Sequence, residues 1–106
     1  MAGRAVANRS EPMRGQTPRG PVDVVRQQWR SQRPGSRWEW EWLARRGGQR
    51  DWKQGSTARE AIRQATLLAP GKQPGWLTAA VGEAERGLIA WAAEPPEDPV
   101  GGEGAG

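Results

Sequence analysis

The chain has 106 residues, sixteen basic and twelve acidic for a net charge of +4, and contains seven Trp but no Cys, His, Tyr or Phe. One domain is the ceiling at this length, and without Cys no disulfide can staple it. The usual zinc ligands, thiolate nucleophiles and imidazole bases are missing, so the expected role is binding rather than catalysis, with no cofactor or metal.

Charge is graded along the chain. Residues 1–37 carry net +6, residues 38–72 net +3 and residues 73–106 net −5. The front suits a polyanion or an acidic surface and the back repels one. Fourteen of the sixteen basic residues are Arg, which forks onto phosphate and carboxylate and stacks on aromatic rings. A GC-rich genome would produce part of the same bias through codon usage alone. No apolar stretch approaches the roughly 20 residues of a membrane helix, and the basic start is not followed by an apolar signal segment. A cytoplasmic protein with no membrane partner is expected.

Residues 1–20 alternate Arg with Gly, Pro, Ser and Gln and have too few apolar groups to offset their ordering entropy. They are expected to be a basic disordered tail. Residues 21–93 are expected to form the single small domain. At that size a core supplies only about 3–5 kcal/mol, so a partner, a homo-oligomer or a larger assembly is anticipated.

In residues 21–33, Val22, Val25 and Trp29 fall at helical spacing behind Pro21. That reading places Arg26, Arg30 and Arg33 on a second stripe beside Trp29. A short strand at Val22–Val25 is the alternative, and Pro34-Gly35 ends either one. Residues 37–54 alternate: Trp38, Trp40 and Trp42 to one side, Glu39 and Glu41 to the other. Gly47-Gly48 turns the chain into a second strand. A two-residue loop pairs Leu43 with Trp52. A three-residue loop with a Gly bulge pairs Trp42 or Ala44 with Trp52 and gathers four Trp side chains, which burial favours. The two Glu then make a solvated strand face, bridged to Arg50 or Lys53.

Residues 57–69 predict a helix opened by the capping box Thr57-Ala-Arg-Glu60. Ala58, Ala61, Ile62, Ala65, Leu68 and Ala69 line its apolar face, and Pro70-Gly71 stops it. Residues 76–93 predict a second helix along Leu77, Ala80, Val81, Ala84, Leu88, Trp91 and Ala92, despite Gly82 and Gly87. Residues 94–106, with three Pro and four acids, read as an acidic Pro/Gly-rich tail. The fold class is therefore α+β: a Trp-faced antiparallel sheet of two or three strands packed on one or two helices, with disordered tails.

Residues 38–69 run Trp-x-Trp, Gly turn, second strand, then Thr-x-x-Glu-Ala opening an amphipathic helix. This order resembles small hairpin–helix modules of bacterial and phage proteins, and the arm-type DNA-binding domain of phage tyrosine integrases. The second resemblance implies a sheet entering a DNA groove with basic and polar side chains outward. Glu39 and Glu41 depart from that pattern, and neither resemblance brings catalytic residues.

The candidate contact residues are Arg26, Trp29, Arg30, Arg33, Arg37, Arg45, Arg46, Arg50 and Lys53. Arg and Lys serve phosphate, while Trp29 stacks on a base or fills a partner's pocket. The leading expectation is a small basic nucleic-acid-binding protein, a phage or bacterial accessory protein. The rivals are a protein-binding adaptor or phage-type inhibitor that meets an acidic protein surface through Trp and Arg anchors, and a structural subunit of a larger assembly.

Overall fold

A computed structural model describes residues 3–93. The acidic tail expected over 94–106 lies outside the described residues. The chain runs β1 (Arg4–Ala7), β2 (Met13–Thr17), β3 (Gly20–Ser31), β4 (Glu39–Arg46), β5 (Lys53–Gly55), α1 (Ala58–Ala65) and α2 (Gly75–Ala93). Strand order is β1-β3-β4-β5, with β2 also paired to β3, and every pairing is antiparallel. The α+β class holds, with five strands rather than two or three, and both helices cover one face of the sheet.

Where residues 21–33 read as a helix, the chain forms the strand β3, which ends at Ser31. Val22 and Val24 are buried within the helix-packed core, while their neighbour Val25 is equally buried yet lies outside that core cluster. Burial on both sides of successive residues has the period of two that belongs to a strand. Eight residue pairs, Val22↔Arg46 through Trp29↔Glu39, bind β3 to β4.

The basic start of the chain is not a disordered tail either, because β1 and β2 fill the other edge of β3. Ala7 pairs with Gln28 and Met13 with Val24, so five residues, 8–12, oppose three, 25–27. Asn8 opens this bulge at φ 51, a left-handed position that Asn tolerates well. Ser10 closes it: its N–H donates to the Arg26 carbonyl at 2.9 Å, and its Oγ accepts from the Arg26 N–H at 3.0 Å. Few apolar groups hold these strands. Ion pairs Arg4–Glu41 and Arg14–Asp23 do so instead, at 2.7 and 3.0 Å.

The second hairpin has neither expected register. Trp42 pairs with Gly55 and Ala44 with Lys53, leaving residues 47–52 as a loop and Trp52 outside the strand. Trp40 and Trp42 share the helix-side face as expected, but Trp52 does not join them. Space at Gly55 sets this register. A Cβ there would lie 2.6 Å from the Ala61 nitrogen and 2.9 Å from the Thr57 carbonyl oxygen, so α1 can cross β5 only at a glycine.

Thr57 caps α1, its Oγ1 accepting from the Glu60 N–H at 3.1 Å. The other half of the capping box is not made, since the Glu60 carboxylate turns to Arg63 and Gln64. Ala58, Ala61, Ile62 and Ala65 are buried against the sheet. The helix ends four residues earlier than its periodicity predicts. Leu68 N–H donates to the Arg63 carbonyl and Leu67 N–H to the Gln64 carbonyl, the two bonds of a Schellman cap. Leu67 therefore sits at the left-handed position usually given to Gly, with φ 57 and 67% of its surface exposed. Arg19, from the β2–β3 turn, donates to the Thr66 and Leu67 carbonyls at 2.6 and 2.9 Å, placing a cation on the negative helix end.

α2 buries Leu77, Ala80, Val81, Ala84 and Leu88 into a core shared with α1, Val22, Val24, Trp42 and Ala44. Gly87 makes room for Met13 of β2: a Cβ there would overlap the Met13 methyl. Trp91 meets Trp40 edge to face at 5.6 Å. The side chain of Ala92, expected on the same stripe, is outside the described residues.

Two glycine exchanges should move stability in opposite directions. Gly55→Ala should cost about 1–3 kcal/mol by overpacking. Leu67→Gly should gain about 1–2 kcal/mol by relieving a left-handed Cβ, less Gly's greater unfolded-state entropy. Urea melts of the two variants check both signs. A destabilised Leu67→Gly would mean that its side chain supports the fold.

Candidate nucleic-acid interface

Strand alternation splits the residues that a helix would have gathered. Arg26 and Arg30 project to the helix side of β3, and Trp29 projects to the other. Each is engaged within the chain. The guanidinium of Arg26 lies over Trp42 at 4.6 Å and Trp40 at 5.4 Å, that of Arg30 over Trp38 at 4.8 Å, and that of Arg4 over Trp29 at 4.3 Å. Trp52 receives Arg45 at 4.3 Å and Arg9 at 5.7 Å. Significant cation–π contacts occur about once per 70–80 residues, so the stacking here is an organising device. Burial draws the Arg26 guanidinium below its ordinary value, and Glu85 of α2 opposes that shift.

The helix-free face of the sheet carries a charged layer. Glu41 is 2% exposed, not the solvated residue its alternation predicts. Its Oε2 accepts from Arg4 Nη2 at 2.7 Å and Gln27 Nε2 at 2.6 Å, and Gln27 Oε1 accepts from Arg9 Nε at 2.7 Å. Glu39 remains exposed. Asp23 lies between Arg14 Nε at 3.0 Å and Arg45 Nε at 3.6 Å. Beneath this layer, Val25 and Leu43 pair across β3 and β4 and are buried. Trp52 is held by the guanidinium groups of Arg9 and Arg45. Arg4, Arg14 and Arg45 are thus tied to carboxylates, and only their remaining donors face outward.

Charge collects at the two ends of the β3–β4 ladder. At the β3–β4 connection Arg33 and Arg37 are exposed, and Arg30 and Arg33 line a polar concavity of about 370 Å³. At the opposite end, roughly 24 Å away at a strand rise of about 3.4 Å, the Gly47 N–H donates to the Pro21 carbonyl at 2.8 Å. This bond joins the β4–β5 loop to the start of β3. There Arg45, Arg46, Gln49, Asp51 and Lys53 line a concavity of about 130 Å³. Arg46 is half-buried, and its Nε has no hydrogen-bond partner. Arg50 is exposed on the same loop. Three of the nine predicted residues, Arg45, Arg46 and Lys53, therefore converge, with Arg50 on the same loop, while Arg30, Arg33 and Arg37 form a separate group.

Sequence reasoning missed Arg19, Glu41 and Leu67. The Thr17-Pro-Arg-Gly20 turn signal could have flagged Arg19, with Gly20 at φ 103 and Thr17 Oγ1 donating to its carbonyl. Among the described residues no cluster of three or more Asp, Glu, His or Cys could hold a metal ion, and no helix is long and apolar enough to cross a membrane.

Asp23 supplies a pH test. The hydrogen bond from Arg14 holds its carboxyl below the ordinary value, with the charges of Arg14 and Arg45 adding to the effect against the opposing cost of burial. A depressed folded-state value stabilises the protein above the ordinary Asp range, near about 4, and that stability is lost as pH falls through the folded value. Asp23→Asn should lower the melting temperature at pH 7 and flatten its decline below about pH 5. An unchanged acid slope would show that the pair contributes nothing.

Comparison of the chain with protein-family models, with characterised proteins and with solved structures finds no match.

Proposed function

We propose that this is a small cytoplasmic nucleic-acid-binding protein that contacts phosphate through the basic end of its sheet. The supporting observation is the convergence of Arg45, Arg46 and Lys53 around one concavity, with the exposed Arg50 on the same loop. Guanidinium and ammonium groups gathered at one concavity are the chemistry that a phosphate oxygen accepts. The Trp residues fit this reading as scaffold rather than as stacking platforms. Every Trp from 29 to 52 already has a guanidinium over its ring. Contacts limited to the backbone make binding tolerant of sequence. The resemblance to integrase arm-type domains points the same way, although here the charges of the helix-free face are paired with one another and the proposed contacts lie at the loop end of the sheet.

The test is retention of duplex and single-stranded DNA and RNA as a function of salt. Affinity should fall steeply as salt rises. Arg46→Ala with Arg50→Ala should reduce the slope of log K against log salt by about 1.8, or 0.9 per lost phosphate contact on a duplex. The same pair should weaken all sequences alike. Arg33→Ala with Arg37→Ala, at the far end, should do less. No retention at about 50 mM salt, where such contacts are strong, would sink this reading in favour of a protein partner.

A further inference from the structure

The exposed side of the α1–α2 junction has features that phosphate binding does not use. Two concavities of about 410 Å³ each flank Leu68 and Ala69. One is floored by Leu68, Pro74 and Trp76, the other by Leu67, Leu68 and Pro70. Their charged lining residues are Arg19 and Lys72 in the first, Lys53 and Arg63 in the second, and every one is a cation. Leu67 stands at their edge in a left-handed conformation with most of its side chain in solvent. Glycine would serve the helix cap better. A strained, exposed leucine at a cap is costly on both counts, and such outliers cluster at binding surfaces.

We infer that this groove docks the acidic segment 94–100, Glu-Pro-Pro-Glu-Asp-Pro-Val, of a second copy of the chain. Three observations select that occupant. The segment brings Glu94, Glu97 and Asp98 and no base, complementary to a groove lined by Lys53 and Lys72 together with Arg19, which caps the end of α1, and Arg63, which pairs with Glu60. Its three prolines favour an extended backbone, the form that seats in grooves lined by aromatic and apolar side chains. Reach excludes the groove of its own chain. Helix α2 starts beside the groove at Gly75 and carries the chain away for 19 residues, about 28 Å at 1.5 Å per residue. Glu97 and Asp98 follow Ala93 by four and five residues, which spans at most about 18 Å. A competing basic site within one chain is the β3–β4 connection, where Arg30 and Arg33 line a polar concavity. Segment to groove is a heterologous contact; made reciprocally between two copies it closes a dimer, and otherwise it propagates.

The inference does not rest on the nucleic-acid reading, and its test contains no nucleic acid. Sedimentation of the nuclease-treated full chain should show concentration-dependent association that weakens with salt. A segment variant (Glu94→Gln, Glu97→Gln, Asp98→Asn) and a groove variant (Leu67→Gly) should each self-associate about tenfold more weakly or less tightly still, the loss expected for several rim ion pairs or one apolar anchor. Both should keep the wild-type melting temperature or exceed it. Lys72→Glu provides a second groove variant that leaves the helix cap untouched. Mixed together, the segment variant and either groove variant should form a one-to-one complex, because one contributes an intact groove and the other an intact segment. A monomeric wild-type chain, association that survives in the segment variant, or a mixture that fails to pair would each overturn the proposal. The last is also the result expected if the segment folds back on its own Arg30 and Arg33.

Discussion

The eight-pair ladder between β3 and β4 is the constraint on which the other features depend. It forces successive residues of β3 to opposite faces, so Val22 and Val24 join the helices while Val25 is buried beneath the charged layer. The same alternation delivers Arg26 to Trp42 and Asp23 to Arg45. Because β3 is twelve residues long and β4 only eight, its free edge accommodates two short strands in succession. The bulge at Asn8–Ser10 absorbs their two-residue difference in register. Had residues 21–33 been helical, β1 and β2 would have had no template and the helix-free face would not exist.

Arginine has a structural task in this chain that composition alone does not reveal. With no Phe, Tyr or Cys, the sheet relies on Trp for bulk, and Trp rings in so small a domain cannot all be enclosed. A guanidinium is planar and weakly hydrated for a cation, so it can cover a ring face without the desolvation cost of an ammonium. Five Trp are covered in this way. Codon bias could supply arginines, but it would not place them over rings and against Asp23 and Glu41. The charge left for a partner is correspondingly smaller than the count suggests, and it is concentrated where the strands end.

Elements whose signals are local were legible in the sequence. The Thr57 cap, the apolar stripe of α2, the Gly47-Gly48 turn and the shared face of Trp40 and Trp42 all follow from residues within a few positions of one another. The features that escaped depend on residues far away. Arg4 is ordered by Glu41, 37 positions on, and nothing around Arg4 announces a strand. The spacing of Val22, Val25 and Trp29 fits a helix as well as an interrupted alternation, and only the partners on both edges decide it. Trp52 is displaced because Gly55, three residues later, is where α1 comes within contact of the sheet. The early end of α1 is hidden because Leu67 occupies a place where glycine would have signalled the stop. Of the candidate site, the β4–β5 group was legible because its members are close in sequence on one hairpin. The group around Trp29 was assembled on a helical wheel that the strand does not have.

The basic concavity and the apolar groove are neighbours, and their proximity has a thermodynamic consequence. Lys53 and Leu67 line both the concavity at the β4–β5 loop and the groove beside α1. Both proposed ligands are anionic. A polyanion seated on Arg46 and Arg50 would place negative charge within a few residues of the rim that an acidic segment needs, and it would draw on the same Lys53. Linkage then requires the two to oppose each other equally: whatever factor the acidic segment takes from nucleic-acid affinity, nucleic acid takes from self-association. On both proposals, the exposed leucine of the strained cap and the arginines beside it form one surface with two competing anions. The acidic segment would lie on the groove in the free protein and leave it when phosphate arrives.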